Sequence, residues 1–217
     1  MHPLQPIVVN DTALYDDVAA AKRVMHRRLL RTARPVVLTA YQEYSDNAPG
    51  LVNMPEPNLT QLQKEALLHA FDVETVPLKV LRSQLLDEFI DGAKCPFCGM
   101  GETSTLDHYL PKEDYPQFSI FSQNLVPACA ACNTLKRNRI LDEQAQVRLF
   151  LHPYFDNIPT REFLRVDVGL SAEGLQLSFR MTRPSEPATT CLPPFGKSFQ
   201  TAQARQSLSA SRSHKTG

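Results

Sequence analysis

Apolar residues recur at helical spacing through the first ninety positions, and strict alternation begins only near residue 162. From Ala13 to about Ala33, alanines are dense and Val18, Met25 and Leu29 fall at roughly helical intervals, which predicts one helix. Pro35 is expected to stop it, and "PVVLTAYQEYSDNAPG" predicts a shorter helix ending before Pro49-Gly50. Residues 50–58 ("GLVNMPEPN") have loop composition, after which Asn58 or Thr60 can cap a helix running to about Phe71. Leu78, Leu81, Leu85 and Phe89 then form one stripe of a helix from Pro77 to Asp91, ended by Gly92. "EFLRVDVGL" and "LQLSFRM" alternate apolar and polar residues around 171–174, the pattern of a β-hairpin. In "RLFLHPYFDN", Phe150, Leu151, Tyr154 and Phe155 read as core; His152 and Asp156 are candidates to approach a site, with His152 read as structural in preference. His69 likewise reads as a packing or surface residue.

Composition adjusts this picture at both ends. Hydrophobic residues make up 42% of the 217, ordinary for a globular chain, and no apolar run approaches the ~18 residues of a membrane span. No secretion signal is visible at the N-terminus, so a cytoplasmic protein is expected. The formal net charge is zero, but it is unevenly spread. Residues 182–217 carry five Lys/Arg against Glu186, and residues 1–181 carry 18 basic and 22 acidic side chains. A net-acidic body argues against nonspecific nucleic-acid binding by bulk charge. A local stripe (Lys22, Arg23, Arg27, Arg28, Arg31 and Arg34) is either a solvated helix face or a phosphate-facing surface, with Arg27, Arg28 and Arg31 as its nucleic-acid candidates. From Arg183 the chain is rich in Ser, Thr, Pro, Ala and Gln and is expected to be disordered. Cys191, in this tail, is given no role.

The chemistry concentrates between residues 93 and 140. Four of five cysteines form two Cys-x-x-Cys pairs, Cys95 with Cys98 and Cys129 with Cys132. Two intervening residues let both thiolates of a tight turn approach one metal, and two such knuckles complete a tetrahedral site. Pro96 and Gly99 suit those turns. Four thiolates leave no open coordination position, so the implied zinc is structural. Within the knot, "TSTLDHYLP" and "QNLVPAC" predict two short strands and "ACNTLKRNR" a helix, in the order knuckle, strand, loop, strand, knuckle, helix.

These residues carry a family resemblance. Asp107-His108, Asn124-Leu125 and Cys132-Asn133-x-x-Lys136, set inside the two cysteine pairs, resemble the zinc-stabilised HNH endonuclease motif of the ββα-metal nuclease group. The resemblance covers about 45 of 217 residues. It departs at the motif's last position, where Asn133 stands in place of histidine. It implies that Asp107 and Asn133 hold one Mg²⁺ or Mn²⁺ at the scissile phosphate and that His108 activates water. It implies further that Asn124 orders the interstrand loop, with a hydrogen bond to the His108 ring as one means. Lys136, Arg137 and Arg139 are then candidates for phosphate contact. Hard oxygen ligands fit Mg²⁺ or Mn²⁺ better than zinc. An imidazole with an ordinary pKa of about 6.5 can take a proton from water near neutrality.

The expected architecture is therefore α+β. A helical region spans residues 1–92, a zinc-knuckle HNH module 93–160, a hairpin 161–182 and a tail 183–217. The expected activity is metal-dependent hydrolysis of nucleic acid, DNA before RNA, with no membrane partner. The layout is also similar to nuclease partners of ATPases in bacterial anti-phage systems of the Septu type, which implies an ATPase partner. The competing reading is a non-catalytic zinc module that binds nucleic acid or protein.

Overall fold

A computed structural model describes residues 3–48, 50–51, 54–87, 94–142, 147–157, 164–171 and 174–181. Helices come first: α1 (Asp11–Ala21), α2 (Val24–Asn47), α3 (Gln61–Asp72) and α4 (Val76–Asp87). A small antiparallel sheet of β1 (Thr105–His108) and β2 (Leu125–Ala128) follows, with His108 opposite Leu125 and Thr105 opposite Ala128. Helix α5 (Ala130–Lys136) leads directly out of β2. The short pair β3 (Leu141–Asp142) and β4 (Val147–Arg148) is succeeded by the hairpin β5 (Leu164–Ser171) and β6 (Gly174–Met181). A mixed architecture with helices ahead of a small antiparallel sheet agrees with the expected class.

Local signals account for several boundaries. Thr60 caps α3 in a full capping box with Gln63, so two otherwise orphaned backbone N–H groups are satisfied reciprocally. Leu78, Leu81 and Leu85 bury one stripe of α4; Phe89 and Gly92 lie outside the described residues, as does the tail with Cys191.

The first helix was expected in the wrong place. The chain breaks at Lys22-Arg23 and runs straight through Pro35, which sits inside α2. Proline in a helix interior removes one hydrogen bond and costs about 3 kcal/mol. The amphipathic face of α2 outweighs that, because Leu30, Ala33, Val37, Ala40, Tyr41 and Tyr44 are all buried on both sides of Pro35. The break at Lys22 also has a cause. Its ammonium donates to the carbonyls of His69, at 3.0 Å, and Val73. A buried cation thus meets the negative end of α3.

Contacts from the helices hold the β1–β2 connection. Asp11 accepts from both the backbone N–H (2.9 Å) and the hydroxyl (2.8 Å) of Ser122. Tyr44 stacks edge-on against Phe118 and Phe121 of that connection. One buried apolar cluster runs from Leu14 and Leu30 through Leu67 and Leu81 to Leu106, Phe118, Val126 and Phe150.

Candidate functional site

The four cysteines meet. Their sulfurs all lie within 4.8 Å of one another, and Cys98 Sγ is 3.9 Å from Cys129 Sγ. Sulfurs about 2.3 Å from a tetrahedral zinc stand roughly 3.8 Å apart, so the cluster fits that ion. The first knuckle turns at Gly99, with φ of 70°, and Cys98 Sγ accepts the backbone N–H groups of Met100 (3.5 Å) and Gly101 (3.4 Å). In the second, Cys129 caps α5 and accepts from Cys132 N at 3.5 Å. A hydrogen bond from Cys132 holds the Cys95 thiol down at about 4 and raises Cys132 in return, as when two sulfurs share a proton. This four-cysteine cluster can bind a metal such as zinc.

Beside it, β1 and α5 form one wall of a cleft of ≈ 230 Å³, lined by Leu106, Asp107, His108, Asn133, Arg137 and Asn138. Phe71 of α3 and the turn residues Pro111, Lys112 and Glu113 complete it. His108 Nε2 lies 2.9 Å from the carbonyl oxygen of Ser119. A carbonyl only accepts, so Nε2 carries the proton and Nδ1 is left with a lone pair. The ring packs edge-on against Phe71 at 4.4 Å. Burial lowers its pKa to about 4, with Lys112 and Lys136 acting in the same direction and the Ser119 bond opposing. The imidazole is therefore neutral at pH 7, but its basicity is reduced by the same burial.

Asp107 is 3% exposed and faces α5. Lys136 Nζ sits 3.0 Å from its Oδ2 and 3.3 Å from its Oδ1, and also donates to His108 O at 2.7 Å. The ammonium therefore spans both carboxylate oxygens, with the Oδ2 contact the shorter. Burial raises the Asp107 carboxyl to about 6 despite Lys136. Asn133 Nδ2 donates to Thr105 Oγ1 (3.1 Å) and Leu106 O (3.3 Å), so its amide oxygen takes no part in those bonds. The Asp107 carboxylate is thus neutralised by Lys136, and Asn133 lines the same cleft.

Three expectations need correction. Lys136 was expected to reach phosphate, yet it is 1% exposed because the buried Asp107 requires a counter-charge. Asn124 was offered as a partner for the His108 ring, but that bond goes to Ser119 O. Asn124 does order the interstrand loop: its Oδ1 accepts from Leu110 N (2.8 Å), and its Nδ2 donates to Leu110 O (3.0 Å) and Phe118 O (3.3 Å). Arg139 folds back onto the carbonyls of Leu135 and Lys136, satisfying the end of α5.

The arginine stripe of α2 also divides. Arg27 donates to Lys22 O at 2.9 Å, and Arg34 makes a two-pronged pair with Asp16 at 2.6 and 2.8 Å. Arg28 and Arg31 are exposed, and none of the stripe lines the cleft.

His152 is fully buried and serves the framework. Its Nδ1 accepts from Tyr154 N at 3.2 Å, so Nε2–H donates to the Tyr44 hydroxyl at 2.9 Å. That hydroxyl in turn donates to Asn124 Oδ1 at 3.1 Å. Asp156 holds Arg148 at 2.8 and 2.9 Å and caps His152 N. Neither residue lines the cleft.

Phe71, Ser119 and Tyr44 carry no functional signal in the sequence. Phe71 belongs to an ordinary amphipathic helix, and Ser119 acts through its backbone, so no local pattern marks either one.

No helix among the described residues is long and apolar enough to cross a membrane. No protein-family model matches the chain, and no solved structure matches it. It is 46% identical over 68 residues to a protein of Escherichia phage lambda described as "Protein ea31". That stretch is 30% of this chain and spans only 22% of the relative's length.

Proposed function

We propose that the protein is a metal-dependent endonuclease of the HNH type, hydrolysing phosphodiester bonds in nucleic acid, DNA before RNA. The observation that carries this reading is the placement of His108, which is fixed as the Nε2–H tautomer by Ser119 O and borders a cleft shared with Asp107 and Asn133. His108 Nδ1 takes the proton of the attacking water. Asp107 and Asn133 are the residues that would hold Mg²⁺ or Mn²⁺, with Asp107 exchanging its Lys136 contact for the ion. When bound, such an ion supplies Lewis-acid stabilisation of the phosphate and the leaving oxygen. The cysteine cluster holds β1, which carries Asp107 and His108, against α5, which carries Asn133. Activity in the cytoplasm as an anti-phage effector with an ATPase partner belongs to the same reading and rests on layout alone.

The Lys136–Asp107 ion pair favours the second reading, a non-catalytic zinc module, because it neutralises the carboxylate a metal would need. Plasmid, tRNA and single-stranded substrates incubated with Mg²⁺ or Mn²⁺ separate the two. Cleavage that falls ~10²–10⁴-fold in His108→Ala, the usual contribution of a general base, supports the nuclease. Binding without cleavage by either protein supports the module.

A further inference from the structure

Arg137, just past α5, is the single non-glycine residue with positive φ among the described residues, at φ 49° and ψ −136°. Arg139 N donates to Lys136 O at 3.1 Å, closing a four-residue turn with Arg137 at its first central position. Those angles belong to a type II′ turn, where glycine is the usual occupant because an L side chain crowds its own backbone. Strain of this kind persists only where the surroundings over-determine it. Here they do. Lys136 on one side is locked to Asp107 and His108 O, and Arg139 on the other is locked to the carbonyls of Leu135 and Lys136.

Arg137 itself is exposed, lines the cleft with Asp107, His108 and Asn133, and pairs with no carboxylate among the described residues. The cleft's other acid, Glu113, does not pair with it. Lys112, a further cation there, is already tied to Asp72. An unpaired guanidinium at the mouth of a reactive cleft is suited to a phosphate, which it can grip with two parallel hydrogen bonds.

We infer that Arg137 is a substrate-binding residue that contacts a backbone phosphate of nucleic acid at this cleft, held there by a turn whose geometry favours glycine. The inference rests on the nuclease reading for its substrate class. It also entails a trade: the residue that would relax the turn is the one that would lose the contact.

The test compares Arg137→Gly, Arg137→Ala and Arg137→Lys on the His108→Ala background. Binding of a fluorescein-labelled DNA duplex is followed by anisotropy across a salt titration, beside melting curves. Gly and Ala should each flatten the log–log salt slope by about 0.9, the value of one phosphate contact, while Lys retains it. Gly should melt about 2–4 °C above Ala, because it alone relieves the strain. Unchanged slope in Arg137→Gly, or no binding by the parent protein, would overturn the inference. Cleavage by otherwise wild-type protein is scored separately. A nuclease that keeps its salt slope in Arg137→Gly sinks this inference alone. A flattened slope without any cleavage sinks the hydrolase and keeps Arg137.

Discussion

Lys136 Nζ lies 3.0 Å from Asp107 Oδ2, with both side chains withdrawn from solvent. Each charge is tolerated because the other is present, and the ammonium also ties the strand to the helix through His108 O. Removing one partner of such a buried pair typically costs 3–5 kcal/mol, because the survivor is left uncompensated. Lys136→Met should therefore lower unfolding free energy by about that much in urea titration. The double variant Lys136→Met/Asp107→Asn should recover part of it. Full stability in Lys136→Met would mean that the pair is not formed.

Asp107 and His108 give opposing pH dependence. Burial lifts the Asp107 carboxyl from 3.8 to about 6, so the folded state holds a proton the unfolded chain sheds, and this contribution fades as pH rises through that range. Burial lowers His108 from 6.5 to about 4, so the unfolded chain binds the extra proton, and stability is lost as pH falls through that range. The two offset each other between about pH 4 and 6. Asp107→Asn removes the first and keeps the second. Its stability should fall more steeply than wild type on acidification from pH 6.5 to 4, measured by urea midpoints. Parallel curves would contradict the assignment.

Gly101 faces the second knuckle so closely that an added Cβ would lie 2.8 Å from Cys129 Cβ and 2.9 Å from its Sγ. Neither atom can yield without spreading the sulfurs. Gly101→Ala should weaken zinc retention against a chelator and lower the melting temperature, as Cys95→Ser should do more severely. Metal analysis of purified protein gives the baseline; well-folded wild type without zinc would rule out the structural role.

Tyr44→Phe deletes the hydroxyl between His152 and Asn124. It leaves His152 Nε2–H buried without an acceptor, a loss of about 1–3 kcal/mol. The loop that presents Ser119 O to His108 should loosen as well. Faster amide exchange in residues 116–124, with α3 and α4 unaffected, is the expected signature. A variant as stable as wild type would show the network to be dispensable.

The proposed cation ligands should separate from the proposed base. Asp107→Ala should weaken Mg²⁺ binding more than Asn133→Ala, read as a higher Mg²⁺ concentration for half-maximal cleavage, since the carboxylate supplies the charge. Excess Mn²⁺ should partly restore cleavage in both and restore none in His108→Ala. Full cleavage in EDTA too dilute to strip the cysteine cluster would remove the second metal from the mechanism.

The sequence by itself determined the elements whose causes are local. Spacing of two between cysteines, alternation around residues 171–174, the Thr60–Gln63 cap and the apolar stripe of α4 each act within a few residues, so a linear pattern records them. Asp107 and His108 were legible as neighbours on one predicted strand. Tertiary structure decided everything that depends on burial between distant segments. Pro35 stays helical because Leu30 and Tyr44 are buried on either side of it. Lys22 leaves the expected basic stripe because the carbonyls at the end of α3 need a donor. Lys136 turns inward because Asp107 is buried, and the carbonyl that fixes the His108 tautomer belongs to Ser119, whose side chain plays no part in it. Tyr44 and His152, 108 residues apart, meet through one hydroxyl. Desolvated polar groups must find partners wherever the fold supplies them, and no residue pattern encodes which distant atom will be there.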